Sequence, residues 1–125
     1  MLDGVMQLLP TAKISVVGLY RDEETLQPVP YFDKVVRDVS DRVALIVDPM
    51  LATGGSAVQA LNVIKEAGAT DLRLVTIVSS PEGVAEIEST HPDVPLITAA
   101  VDRELNDLRY ILPGLGDFGD RLYGT

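Results

Sequence analysis

The sequence predicts an α/β fold: a mostly parallel, twisted sheet with flanking helices in a Rossmann-like arrangement. Three observations carry that reading. Four short apolar runs stand out, Lys13 to Leu19, Val43 to Asp48, Leu72 to Ser79 and Pro95 to Val101. Helix-periodic segments separate the last three runs. The length of 125 residues suits one domain spanning 1–125, and 46% hydrophobic residues can build a modest aliphatic core.

Taken in order, the chain opens on a short helical pattern over residues 2–9, with Val5, Leu8 and Leu9 apolar. The first strand, KISVVGL, follows with no strand–helix unit before it. That start suggests the C-terminal part of a larger domain, truncated at its N-terminal side. Arg21 to Val39 is polar and holds Pro28 and Pro30, so it reads as a long hairpin or loop. VALIVD is the second strand. Its near-continuous apolar character, shared with LRLVTIVS, predicts strands buried on both faces. Gly55 to Ala67 places Ala57, Leu61 and Ile64 on one helix face, with Val58 at its edge and Gly68 as the residue that ends it. Ser80-Pro81 opens the next helix as N-cap and first position, with Val84 and Ile87 on its buried side. Strand, helix, strand, helix, strand is a doubly wound pattern.

Composition narrows the function. The formal charge is -9, and the ten Lys and Arg are scattered, so no basic stripe offers itself to a nucleic acid. No apolar run approaches the roughly 20 residues a membrane helix needs. Cysteine is absent, which removes disulfides and thiolate metal sites. A cytoplasmic protein with small-molecule partners is expected. The lone His91, in THPDVPL, reads as structural or exposed, and Asp22, Glu23 and Glu24 as a solvated charge run.

Two glycine-rich stretches carry the chemistry. GLGDFG, Gly114 to Gly119, spells the dinucleotide fingerprint, but such a motif must follow a first strand and open a helix with an acid about 20 residues later. Only the segment to Thr125 remains, so that reading fails. The other stretch is VDPMLATGGS. An acid, Asp48, ends a strand; Thr53, Gly54, Gly55 and Ser56 then form a turn at a helix N-terminus. Glycines let backbone N–H groups approach a phosphate, and the helix end adds partial positive charge. No G-K-[ST] closes the turn, so it is no Walker loop and lacks a lysine for a β- or γ-phosphate. A monophosphate fits. An ordinary strand–helix turn capped by Ser56 is the structural alternative.

These residues resemble the uracil phosphoribosyltransferases of the type I phosphoribosyltransferase class. DPMLATGGS is similar to their phosphoribosyl-pyrophosphate (PRPP) loop; GLYRDEETLQPVPYF, SPEG and YILPGLGDFGDRLYGT match the family in the same order. The resemblance implies pyrimidine salvage, uracil and PRPP giving UMP and pyrophosphate, with Mg²⁺ as cofactor. It implies that Asp48, Pro49, Met50, Leu51, Ala52, Thr53, Gly54, Gly55 and Ser56 bind PRPP, with Thr53 to Ser56 around the phosphate and Asp48 at the ribose hydroxyls. Arg21 would meet pyrophosphate through forked hydrogen bonds. Asp48 and Arg21 would serve catalysis by stabilising an oxocarbenium-like state and the departing pyrophosphate. Ile111, Gly116 and Phe118 would bind uracil through their main chain, with Asp117 near both base and PRPP. No direct metal ligand is assigned. A homo-oligomer is implied, and some members respond to GTP.

The sequence also departs from the family pattern. Members carry an upstream Arg-Ala-Gly-Leu loop for pyrophosphate that does not occur in this chain. Leu108-Arg109 stands where His-Gly is usual, and Phe118 where Ala is frequent. A non-catalytic domain that holds UMP or PRPP is therefore the second reading. An RNA-binding regulator is the third, opposed by the acidic charge.

Overall fold

The computed structural model describes residues 1–21 and 28–125, with side-chain detail outside 20–33. Helix α1 (Leu2–Leu8) precedes an antiparallel hairpin of β1 (Val16–Arg21) and β2 (Pro28–Lys34). A three-stranded parallel sheet follows: β3 (Val43–Leu51), β4 (Asp71–Ser79) and β5 (Leu96–Val101), in spatial order β3-β4-β5. Helices α2 (Gly55–Glu66) and α3 (Pro81–Thr90) make the crossovers. A small antiparallel pair, β6 (Glu104–Leu105) and β7 (Ile111–Leu112), and helix α4 (Phe118–Tyr123) close the chain.

The first apolar run corrects one expectation. Among the described residues it pairs only with β2, so it belongs to a separate hairpin and not to the parallel sheet. The polar segment after it supplies the partner strand through Pro28–Lys34. Lys13, just before β1, bonds Asp38 at 2.8 Å, and Arg42 reaches the same carboxylate at 2.7 Å. These two cations hold the Asp38 carboxyl well below its ordinary range.

Strand order explains a second correction. Two successive right-handed crossovers in the order β3-β4-β5 place both helices on one face of the sheet. That face holds the core: Leu61 and Leu74 are fully buried, and Ala57, Ile64 and Ile87 pack with them. The register aligns Val47, Val75 and Ile97 across the opposite face. There Ile97 is 52% exposed and Leu45 41% exposed, so the strands are not buried on both sides.

The predicted helix ends hold in detail. Gly68, at φ +100°, follows α2; its N–H donates to the Lys65 carbonyl and the Ala69 N–H to that of Ile64. This double bond pattern satisfies the last carbonyls of the helix, and only glycine takes that backbone conformation without strain. The Ser80 hydroxyl accepts from the Gly83 N–H at 2.9 Å, and Pro81 fills the first turn. Gly83 and Ile87 are buried on α3, whereas Val84 is half-buried.

Candidate active site

The carboxyl end of β3 and the loop that leads into α2 form one wall of a cavity of about 380 Å³. The β6–β7 hairpin and the start of α4 form the other. Asp48, Met50 and Thr53 line it from the first side; Ile111, Gly116 and Asp117 line it from the second. The strands of a parallel sheet present their carboxyl ends to ligands in this way, because the following helix N-termini bring unpaired N–H groups to the same edge.

Asp48 is partly buried at the end of β3, and its Oδ1 accepts from the Met50 N–H at 3.1 Å. Burial raises its pKa above the usual carboxylate value; the Met50 N–H opposes that effect. Pro49 is tolerated because β3 is an edge strand of the sheet. Gly54 caps α2 at φ +86°, and its carbonyl accepts from Val58 at 2.9 Å. A Cβ there would press on Glu86 of α3 at 3.0 Å, so glycine is needed for space as well as for conformation. Ser56 does not cap α2 and is exposed on its first turn. The alternative of a serine-capped turn therefore has no support in the geometry.

The run Asp48 to Ser56 is not a uniform set of contacts. Leu51 is 1% exposed and its side chain sits in the core, which leaves only its main chain to face a ligand. Its main chain still shapes the loop, because its carbonyl accepts from the Ser80 N–H at 2.9 Å. Pro49 and Ala52 line the cavity with Asp48, whereas Gly54, Gly55 and Ser56, at the head of α2, are not among its lining residues. Arg21 ends β1, but its side chain lies outside the described residues, as do Asp22, Glu23 and Glu24.

On the opposite wall the Ile111 side chain is buried, at 1% exposure, which leaves its main chain at the cavity. Gly114 lies at φ +39°, and a Cβ there would collide with the Ile111 carbonyl. Its N–H donates to Asp102 at 2.9 Å, which fixes the turn. Gly116, at φ +77°, has open space around the position of a Cβ. Asp117 caps α4 by accepting from the Asp120 N–H at 2.9 Å, and Phe118 is the first residue of that helix.

Sequence reasoning flagged Arg109 only as a departure and put Tyr110 at the start of the uracil-binding loop without a contact of its own. Both line the cavity. Arg109 is the one non-glycine residue with positive φ, +67°, among the described residues. The hairpin tip that holds it is pinned by Asn106, whose side chain accepts from the Leu108 and Tyr110 N–H groups at 3.0 and 2.9 Å. Arg109 is the only cation among the lining residues, which also include the carboxylates Asp48 and Asp117. A larger cavity of about 540 Å³ lies between α1, the approach to β1, β3 and α2. Its lining is mainly aliphatic, including Leu2, Val5 and Val17.

Fold and site define the class: the chain has the architecture of a phosphoribosyltransferase. It superposes on a purine phosphoribosyltransferase from Pyrococcus horikoshii with a TM-score of 0.59 at 17% identity, over 87% of this chain and 70% of that one. For the adenine phosphoribosyltransferase of Trypanosoma brucei the TM-score is 0.53 at 15% identity, over 91% and 54%. The particular family follows from a full-length match. The chain belongs to the uracil phosphoribosyltransferase family, whose model matches residues 1–125. It is also similar to the AQ2163 protein of Aquifex aeolicus, with a TM-score of 0.93 and 39% identity. All of this chain aligns, but it spans only 60% of that protein's length. No described helix is long and apolar enough to cross a membrane.

Proposed function

We propose that this chain carries the nucleotide-binding part of an enzyme that transfers phosphoribosyl from PRPP to uracil, giving UMP and pyrophosphate. One observation carries the reading. The phosphate-type turn at α2 and the glycine-rich segment Gly114 to Gly119 lie far apart in sequence, yet their flanks face each other across one cavity. A mononucleotide would bridge the two, with phosphate at one glycine loop and base at the other.

In this reading the N–H groups at the head of α2 and the Thr53 hydroxyl receive the 5-phosphate. Asp48, as carboxylate, accepts from the ribose hydroxyls. Main-chain groups of Ile111, Gly116 and Phe118 pair with the donors and acceptors of uracil, and the open space at Gly116 admits the base edge. Holding the base in line with the anomeric carbon supplies the orientation that displacement needs. Arg21 would neutralise charge on the pyrophosphate.

The donor set is compatible with Mg²⁺. Among the described residues no group of three His, Asp or Glu forms a metal cage, but Mg²⁺ commonly takes one or two carboxylates plus substrate phosphates. Asp48 and Asp117 are the carboxylates that line this cavity. When bound with PRPP, the ion would stabilise negative charge on the leaving pyrophosphate. The reaction centre is proposed to sit in a soluble, cytoplasmic homo-oligomer with small-molecule partners.

A second reading is a unit that binds UMP or PRPP without turnover. Titration calorimetry with UMP, uracil and PRPP–Mg²⁺, alongside an assay for UMP formation, separates the two. UMP binding together with synthesis supports the enzyme; binding without synthesis supports the second reading. No binding of UMP or PRPP overturns both.

A further inference from the structure

We propose that Ser80, at the head of α3, is a positioning residue that aims the phosphate loop at its ligand. This role rests on the nucleotide-binding reading of the cavity. Besides the helical bond that its carbonyl accepts from the Val84 N–H, the fully buried Ser80 makes three hydrogen bonds. Its hydroxyl accepts from the Gly83 N–H at 2.9 Å, as a helix cap. The same hydroxyl donates to the Ala52 carbonyl at 2.6 Å, and its N–H donates to the Leu51 carbonyl at 2.9 Å. The cap accounts for the first bond. The other two fasten consecutive carbonyls of the loop between β3 and α2.

A trans peptide is planar, with its C=O and N–H pointing in opposite directions. The Leu51 carbonyl shares a peptide plane with the Ala52 N–H, and the Ala52 carbonyl shares one with the Thr53 N–H. Holding both carbonyls on α3 therefore turns both N–H groups away from α3. Ala52 and Thr53 line the cavity, and among the described residues neither N–H has an acceptor. Two adjacent unpaired donors beside a helix N-terminus form an anion-binding concavity. Gly83 makes the close approach possible, because a Cβ there would run into the Ala52 carbonyl and stand 2.9 Å from that of Leu51. A hydroxyl at position 80 is thus the link between the cap of one helix and the anion site of another.

The test compares wild type, Ser80→Ala and Ser80→Thr in calorimetric titrations with UMP and with uridine, which lacks the phosphate. Ser80→Ala is expected to weaken UMP binding roughly three- to tenfold, the range for one lost hydrogen bond. Uridine affinity should stay unchanged, and Ser80→Thr should restore UMP binding. Hydrogen exchange at the Ala52 and Thr53 amides should quicken in Ser80→Ala. Equal losses for UMP and uridine, or unchanged UMP affinity in Ser80→Ala, would overturn the positioning role while leaving the nucleotide site intact. A wild type that binds uridine but gains nothing from the phosphate, or binds neither ligand, overturns the nucleotide reading and this role with it.

Discussion

The Lys65 ammonium stands 3.0 Å from Nδ1 of His91 and 2.8 Å from the Asp93 carboxylate, so one α2 side chain ties down the turn between α3 and β5. His91 is 5% exposed, and its Nε2 has no partner among the described residues. Nδ1 accepts from Lys65, so Nε2 carries the ring proton in this arrangement. Lys65→Met leaves the imidazole without either bond. It should lower unfolding free energy by about 1–2 kcal/mol in urea titrations, the cost of a buried polar group left unsatisfied. Uridine and UMP affinities should not move, because this contact lies away from the site cavity.

Asp48 couples stability to binding with opposite signs. Its pKa is raised by burial, so the charged form is penalised in the fold. The group favours the fold at low pH, and that contribution is lost as pH rises through its folded pKa. Asp48→Asn removes the charge, keeps an oxygen for the Met50 N–H, and should raise the melting temperature at pH 7. The same substitution should weaken UMP binding about tenfold, because a charged acceptor for ribose hydroxyls is lost. Wild-type affinity should fall on acidification, starting above the ordinary Asp value of 3.8, while the Asn variant stays flat.

Arg109 holds a backbone conformation that suits glycine, at φ +67°. Arg109→Gly relieves that strain and is expected to stabilise the chain by about 0.5–1 kcal/mol, after the greater flexibility of glycine in the unfolded state is deducted. Chemical denaturation reads this directly. A destabilised variant would show that the guanidinium contributes more to the fold than its backbone costs.

Gly83→Ala tests the contact between α3 and the phosphate loop. The added methyl group meets backbone oxygens of Leu51 and Ala52, which cannot step aside as a flexible side chain would. A loss of about 2–3 kcal/mol is expected in thermal or urea melts. Gly116→Ala provides the contrast. Its methyl group meets nothing within 4 Å, so the cost should be only the about 1 kcal/mol of positive φ, yet uracil binding should fall because the base edge needs that space.

Much of this was legible before any coordinates. The three parallel strands and two crossover helices follow from apolar runs spaced by helical periodicity. The capping bonds at Ser80 and Gly68 follow from residue types whose preferences are local. Two things were not legible. Lys13 to Leu19 is as apolar as a core strand, and composition alone cannot say whether such a run pairs in a hairpin or joins a parallel sheet. The open face beside Val47, Val75 and Ile97 depends on strand order, which side-chain patterning does not encode. At the site, DPMLATGGS and GLGDFG announced themselves, whereas the roles of Ser80 and Arg109 depend on tertiary neighbours. The burial of the Leu51 side chain in the core likewise depends on the fold, because a motif read as a string does not show which of its residues anchor the loop.

The cavity draws its two walls from segments that do not pair with each other in any sheet: the loop ahead of α2, and the hairpin and turn that end at α4. On the proposed nucleotide reading, substitutions in one wall would change which base is accepted without disturbing the grip on the sugar phosphate. Within such a scaffold, base preference would be free to diverge while the proposed co-substrate stayed the same.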